Sequence, residues 1–196
     1  MTAVPDQIPD GEVARSRSPG RVGTSVSAVT SIGWSVRPGQ PGDVDGIARV
    51  TVLSWRETYS GVLADRHFDD GALERRRDQW TQFFASDPPP GRIVVATAND
   101  EVVGFACAGD AGVAEQGSPA ARPLHLYAIY LLAAHHGGGL GQALLDEVLG
   151  GEPAQLWVLR GNDRAIAFYA RNGFAPDGVE FTDPHDPAMV EIRMVR

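Results

Sequence analysis

The chain has 196 residues, 43% of them hydrophobic, with a net charge of −8 and a pI of 5.0. One domain of ordinary size can bury a full core at that length, and so acidic a surface disfavours nucleic acid while drawing cationic substrates inward. The single cysteine, Cys107, excludes an intrachain disulfide and suits an intracellular protein; the longest apolar run, residues 126–134, is far short of the ~20 residues of a spanning helix, so a soluble, cytoplasmic protein is expected.

Residues 1–33 carry no aromatic side chain, are rich in Ser, Gly and Pro, and lack the apolar stretch of a signal peptide. They read as a disordered arm. Asp6, Asp10 and Glu12 balance Arg15, Arg17 and Arg21 there, so the net charge belongs to residues 34–196. Residues 34–37 have strand composition, and Asp43 is expected to cap a helix whose apolar face holds Val44, Ile47, Val50 and Trp55. A second helix is predicted over residues 73–84, ended by Asp87-Pro88-Pro89-Pro90. Residues 93–97 and 102–107 flank Asn99-Asp100, a hairpin signal, and place Cys107 in the core. The polar stretch 109–123 is long enough to be a mobile or functional loop. Residues 125–132 read as a strand, Leu140, Leu144, Leu145 and Val148 fall at helical spacing, a further strand and helix follow through Gly173, and residues 190–195 alternate as a final strand.

Between the strand at 125–132 and the helix after it lies His135-His136-Gly137-Gly138-Gly139-Leu140-Gly141-Gln142. Glycines in such a turn let consecutive backbone N–H groups converge, and the helix N-terminus adds its positive dipole end, so the stretch predicts a phosphate cradle. No Lys-Ser/Thr pair follows, which excludes a Walker-type loop, and the glycine spacing does not give a dinucleotide fingerprint. Gly139 is expected to need a positive φ, with Gly137 and Gly138 more forgiving. His135 and His136 have no third partner at a recognised spacing, so no metal is expected.

The loop resembles the acetyl-CoA loop of the GCN5-related N-acetyltransferases, in which Gln/Arg-x-x-Gly-x-Gly/Ala follows a strand. A second family signature, Asn-x-x-Ala-x-x-x-Tyr-x-x-x-Gly-Phe, is matched by Asn162, Ala165, Tyr169, Gly173 and Phe174. The resemblance spans about residues 34–196 and implies an α/β fold, a three-layer α-β-α sandwich around a mixed, mostly antiparallel sheet. It further implies transfer of acetyl from acetyl-CoA to a primary amine by direct attack, with no covalent enzyme intermediate. The backbone of Ile129, Tyr130 and Leu131, splayed by a bulge, would hold the pantetheine and the acetyl carbonyl. His136, Gly137, Gly138, Gly139, Leu140, Gly141 and Gln142 would bind the phosphates; Asn162, Ala165 and Phe168 would contact the pantetheine arm.

Tyr169 would protonate the leaving thiolate. The attacking amine must be neutral although an alkylammonium has a pKa near ~10, so a proton acceptor is sought. Many relatives carry a glutamate where His125 stands; an imidazole can do the same work near neutral pH, or His125 is a half-buried strand residue with a satisfied hydrogen bond. Trp55 and Tyr59, four residues apart, line the acceptor pocket or merely pack. Asn162 can cap a helix with its oxygen and leave its amide free. His136 replaces the family's usual Gln or Arg, and Gly138 its common basic residue. All 17 basic residues are arginine, so the protein has no lysine of its own to acetylate. The implied partner is a small amine or a protein N-terminus, with no nucleic acid and no membrane, and with room for a homodimer. A non-catalytic acyl-CoA sensor of the same fold is the competing function.

Overall fold

The computed structural model describes residues 33–61, 69, 71–112, 114–115 and 117–196; the arm expected over residues 1–33 lies outside them except for Gly33. In chain order the elements are β1 (Trp34–Pro38), α1 (Val44–Tyr59), α2 (Ala72–Ala85), β2 (Gly91–Ala98), β3 (Glu101–Asp110), β4 (Ala114–Glu115), β5 (Ser118–Pro119), β6 (Leu124–Leu131), α3 (Leu140–Leu149), β7 (Ala154–Leu159), α4 (Asp163–Arg171), β8 (Ala175–Asp183) and β9 (Asp186–Val195). Seven strands form one sheet in the order β1-β2-β3-β6-β7-β9-β8. All neighbours run antiparallel except β6 and β7, which are parallel.

The helices divide between the two faces, giving the expected three layers. On one face α1 packs against α2 and β3, because Ile47, Val50, Thr51, Ser54, Trp55 and Tyr59 recur every three or four residues and all are buried. Trp80, Phe83, Phe105 and Tyr130 complete that core. On the other face Leu140, Leu144, Leu145 and Val148 of α3 and Ala165 and Tyr169 of α4 pack against Leu126, Ile129, Leu131, Leu156 and Val158. The hairpin forms at the foreseen place: Asn99 and Asp100 hold φ of 50° and 63°, the pair of left-handed residues a two-residue turn requires.

Three expectations differ from the structure. Asp43 precedes α1 but does not cap it. Its carboxylate turns back to accept both terminal N–H groups of Arg37, each at 2.7 Å, and the Gln40 N–H at 2.8 Å. A charge-assisted fork outcompetes a neutral cap bond, and the guanidinium holds the Asp43 carboxyl below the usual carboxylate range. The polar stretch after Gly109 carries the short ladder β4–β5 and is pinned at its far end, where Ala121 and Arg122 donate their N–H groups to Gln155 Oε1. Strand β8 was not foreseen. Its Pro176 and Gly178 argue against a strand in the sequence, yet both are admissible at an outer edge where the register slips between Pro176 and Glu180.

Two irregularities prepare the site. Along β3–β6, Cys107 faces Ala128 and Ala108 faces Leu126, so Tyr127 is the extra residue of a bulge, two residues earlier than Ile129. Strands β6 and β7 pair only at Leu124↔Ala154 and His125↔Gln155. Beyond that point they diverge into a fork, which leaves the β7-facing edge of β6 without a strand beside it.

Candidate active site

The glycine loop follows the open arm of the fork. Gly137 and Gly139 take φ of +80° and +83°, and a Cβ at Gly137, Gly138 or Gly139 would meet nothing within 4 Å. The constraint is therefore conformational: an L side chain at either positive-φ position costs ~1–3 kcal/mol. Gly137 is thus no more forgiving than Gly139, which corrects the expectation for it; Gly138 has no such φ. Helix α3 starts directly after the loop with no side-chain cap. Its first turn, Leu140 to Gln142, presents backbone N–H groups to the space the glycines keep clear. Leu140 buries its side chain in the core, and Gln142 gives its amide to Asp146 and Asn172 at 2.8 and 2.7 Å. What both bring to the loop is backbone.

Beside it a groove of about 90 Å³ is lined by Ile129, Leu131, His136, Gly141, Arg164, Ala165 and Phe168. Six of these seven were picked out in the sequence; Arg164 was not. A larger cleft, about 500 Å³, includes Glu57, Tyr59, Leu159, Asn162 and Asp163 in its wall, and His136 and Arg164 belong to this wall too. These two side chains touch: Arg164 Nη1 meets His136 Nδ1. The opposite ring nitrogen lies 2.8 Å from Leu131 O, a carbonyl that can only accept, so Nε2 carries the proton and Nδ1 is the lone pair facing Arg164.

Asn162 does two things. Its Oδ1 accepts the Ala165 N–H at 3.2 Å and caps α4, while its Nδ2 donates to the Tyr59 hydroxyl at 2.9 Å. The amide is therefore engaged rather than free, and it ties the end of α1 to the start of α4. Tyr59 is 2% exposed, and burial first, then the nearby Tyr130, raises its phenol pKa. Trp55 meets Tyr59 edge-on at 5.5 Å and donates its indole N–H to the Tyr130 hydroxyl at 2.9 Å. Tyr59 lines the cleft; Trp55 packs behind it.

His125 and Tyr169 stand in the wall of neither cavity. The His125 ring is 1% exposed and stacks on Tyr127 with centroids 4.9 Å apart. Its Nδ1 lies 3.4 Å from Gln155 Nε2. Because Gln155 Oε1 already accepts two backbone N–H groups, the amide orientation is fixed and its NH₂ faces the ring. With that amide facing it, His125 keeps its Nδ1 lone pair at Gln155 and its proton on Nε2. Tyr169 is fully buried, edge-on to Phe168 and Phe174, and lies one turn along α4 from Ala165, which lines the groove. Cys107 is buried and its thiol pKa is pushed up by that burial. Among the described residues no three His, Cys, Asp or Glu side chains converge as a metal site, and no helix is long and apolar enough to cross a membrane.

Residues 50–174 match the acetyltransferase (GNAT) family. The chain belongs to that family. It is 30% identical over 151 residues, 74% of this chain and 81% of the relative, to the uncharacterized N-acetyltransferase YuaI of Bacillus subtilis. Its fold is similar to that of the PaiA N-acetyltransferase from Thermoplasma acidophilum in complex with coenzyme A, with a TM-score of 0.64 at 19% identity over 84% of this chain and 99% of that one. A ribosomal-protein-alanine N-acetyltransferase from Brucella melitensis gives a TM-score of 0.59 at 21% identity, over 82% and 98%. The mixed seven-stranded sheet with its α3 and α4 face is the acyl-CoA N-acyltransferase fold, and acyl transfer is the chemistry of the family.

Proposed function

We propose that the protein transfers the acetyl group of acetyl-CoA to a primary amine by direct attack. The observation that carries this reading is the meeting, at one fork, of an uncapped helix N-terminus, an open glycine loop and two cavities sharing a wall. The residues present suit a CoA-type ligand: the loop offers backbone N–H groups and empty space to a pyrophosphate, and Ile129, Leu131, Ala165 and Phe168 offer a narrow, largely apolar groove to a pantetheine arm. Acetyl-CoA supplies the activated acyl group.

The chain's own part is positioning and proton movement. Backbone groups along the open edge of β6 orient the acetyl carbonyl and stabilise charge on its oxygen. Tyr169 gives a proton to the departing thiolate, and Tyr59 with Asn162 shapes the acceptor side. His125, in the tautomer that Gln155 selects, steadies the bulge at Tyr127; the ammonium proton leaves through water in the larger cleft, where Glu57 and Asp163 line the wall. A protein N-terminus or a small amine fits as acceptor.

A thiol-release assay with acetyl-CoA against spermidine, an aminoglycoside and an alanine-terminated peptide tests this, run beside a thermal-shift titration with CoA. Amine-dependent thiol release is expected. CoA-induced stabilisation with no thiol release for any amine would replace the enzyme by an acyl-CoA sensor.

A further inference from the structure

Helices α1 and α4 lie on opposite faces of the sheet: Tyr59 belongs to the core beneath α1, and Ala165 and Tyr169 to the core beneath α4. A side-chain bond between helices so placed needs an opening in the sheet, and the divergence of β6 from β7 past His125↔Gln155 supplies one. At its mouth the last residue of α1 meets the residue that caps α4. Asn162 Nδ2 donates to the Tyr59 hydroxyl at 2.9 Å, and both residues are buried. The Ala165 N–H claims Asn162 Oδ1 and so turns the amide NH₂ toward Tyr59. Tyr59 is fixed in its turn, edge-on to Trp55, whose indole N–H is bound to the Tyr130 hydroxyl on β6.

This bond belongs to one cavity and bears on the other. Tyr59 and Asn162 line the larger cleft and not the groove of about 90 Å³, whose wall includes Ala165 and Phe168 of α4. Ala165 is the third residue after the cap and donates the cap bond, so a displaced Asn162 side chain moves the groove wall within the first turn of the helix. With nine residues, α4 has little length over which to absorb an error at its start. We propose that Tyr59 is a positioning residue of the acyl-CoA groove: standing in the acceptor cleft, and acting through Asn162, its hydroxyl sets where α4 begins. The inference rests on the acyl-CoA reading above and adds a link by which the acceptor side of the site governs the donor side.

Calorimetry with CoA, beside thermal melts of the ligand-free protein, tests the link. Tyr59→Phe removes one oxygen from the cleft wall and keeps the ring. It should weaken CoA binding roughly three- to tenfold, the size of one neutral hydrogen bond, although the residue does not line the groove. Asn162→Ser keeps a capping oxygen but has no amide to reach Tyr59, and should lower the affinity in the same way. The double variant should lose no more than the weaker of the two single variants, because both remove the same bond. Unchanged CoA affinity in Tyr59→Phe overturns the link, whether or not the melting temperature falls, and leaves Tyr59 as a wall of the acceptor cleft alone. Losses that add in the double variant overturn it as well. A wild-type protein that does not bind CoA overturns the acyl-CoA reading itself, so the two failures are told apart.

Discussion

The two sides of β6 are built differently. Toward β3 the ladder extends from Gly104↔Leu131 to Asp110↔Leu124 with one bulge, at Tyr127, and β3 in turn pairs with the whole of β2. Toward β7 it stops after His125↔Gln155. The closed side is covered by aromatic packing, with Phe105 edge-on to Trp80 at 5.1 Å and beside Tyr130 at 5.5 Å; the open side is covered by the short helix α4 and the glycine loop. The same strand thus serves as wall and as ligand edge. Backbone amides that would be costly to leave unmatched inside a core become useful where a ligand with amides of its own can lie beside them.

If stability resides on the closed side and function on the open one, substitutions should separate the two. The largest effect is expected from Phe105→Ala, which removes a fully buried ring from the closed side. It should cost about 3–5 kcal/mol and lower Tm by on the order of 10 °C, while the protein that remains folded still gains stability from CoA. A variant that keeps its Tm but no longer responds to CoA would erase the distinction.

Tyr169→Phe probes the opposite case, a single oxygen removed from a ring that otherwise keeps its packing. Turnover should fall by ~10²–10⁴-fold, the range for losing a positioned general acid, with CoA affinity retained. Single-turnover thiol release separates that outcome from a binding defect; unchanged turnover would return Tyr169 to the core. Gly139→Val comes next, since a β-branched residue at φ +83° is strained by ~1–3 kcal/mol and its methyls occupy the space in front of the loop. CoA-induced stabilisation should disappear. Gly137→Val should behave in the same way, because its φ is also positive; a full ligand response from either variant would remove the loop from the site.

The part of this arrangement legible in the sequence is the part encoded locally. Gly139 in the loop, the helical spacing of Leu140, Leu144 and Leu145, and the run from Asn162 to Phe174 each specify backbone within a few residues of themselves; Gly139 takes the expected positive φ and the two helices stand where they were expected. Side-chain partnerships between distant segments were not legible. The contact of Arg164 with His136 spans 28 residues, that of Asn162 with Tyr59 spans 103, and that of Gln155 with His125 spans 30. No periodicity encodes which way an amide or imidazole turns. Asp43 departs from its expected role for a related reason: cap preference is local, and the guanidinium of Arg37 on β1 overrides it. Pro176 and Gly178 hid β8 because the sequence does not announce that a strand will lie at an edge.

The smallest expected effect lies at His125, where the open and closed sides of β6 meet. Its place in sequence suggests a base; its surroundings describe a buried ring held by stacking on Tyr127 and by a long bond from Gln155. His125→Gln keeps a polar side chain of similar reach but loses the stacked ring, so a destabilisation of about 1 kcal/mol is expected. kcat/KM should stay within a few-fold and the acidic limb of the pH–rate profile should persist. Gln155→Leu sharpens the comparison, because it removes the donor that fixes the tautomer as well as the acceptor for the Ala121 and Arg122 N–H groups. Should His125→Gln abolish the acidic limb at unchanged Tm, with His125→Glu restoring part of the rate, the imidazole turns over in the working enzyme and takes the ammonium proton itself. In that event the last paired residue of the fork is also its first catalytic one.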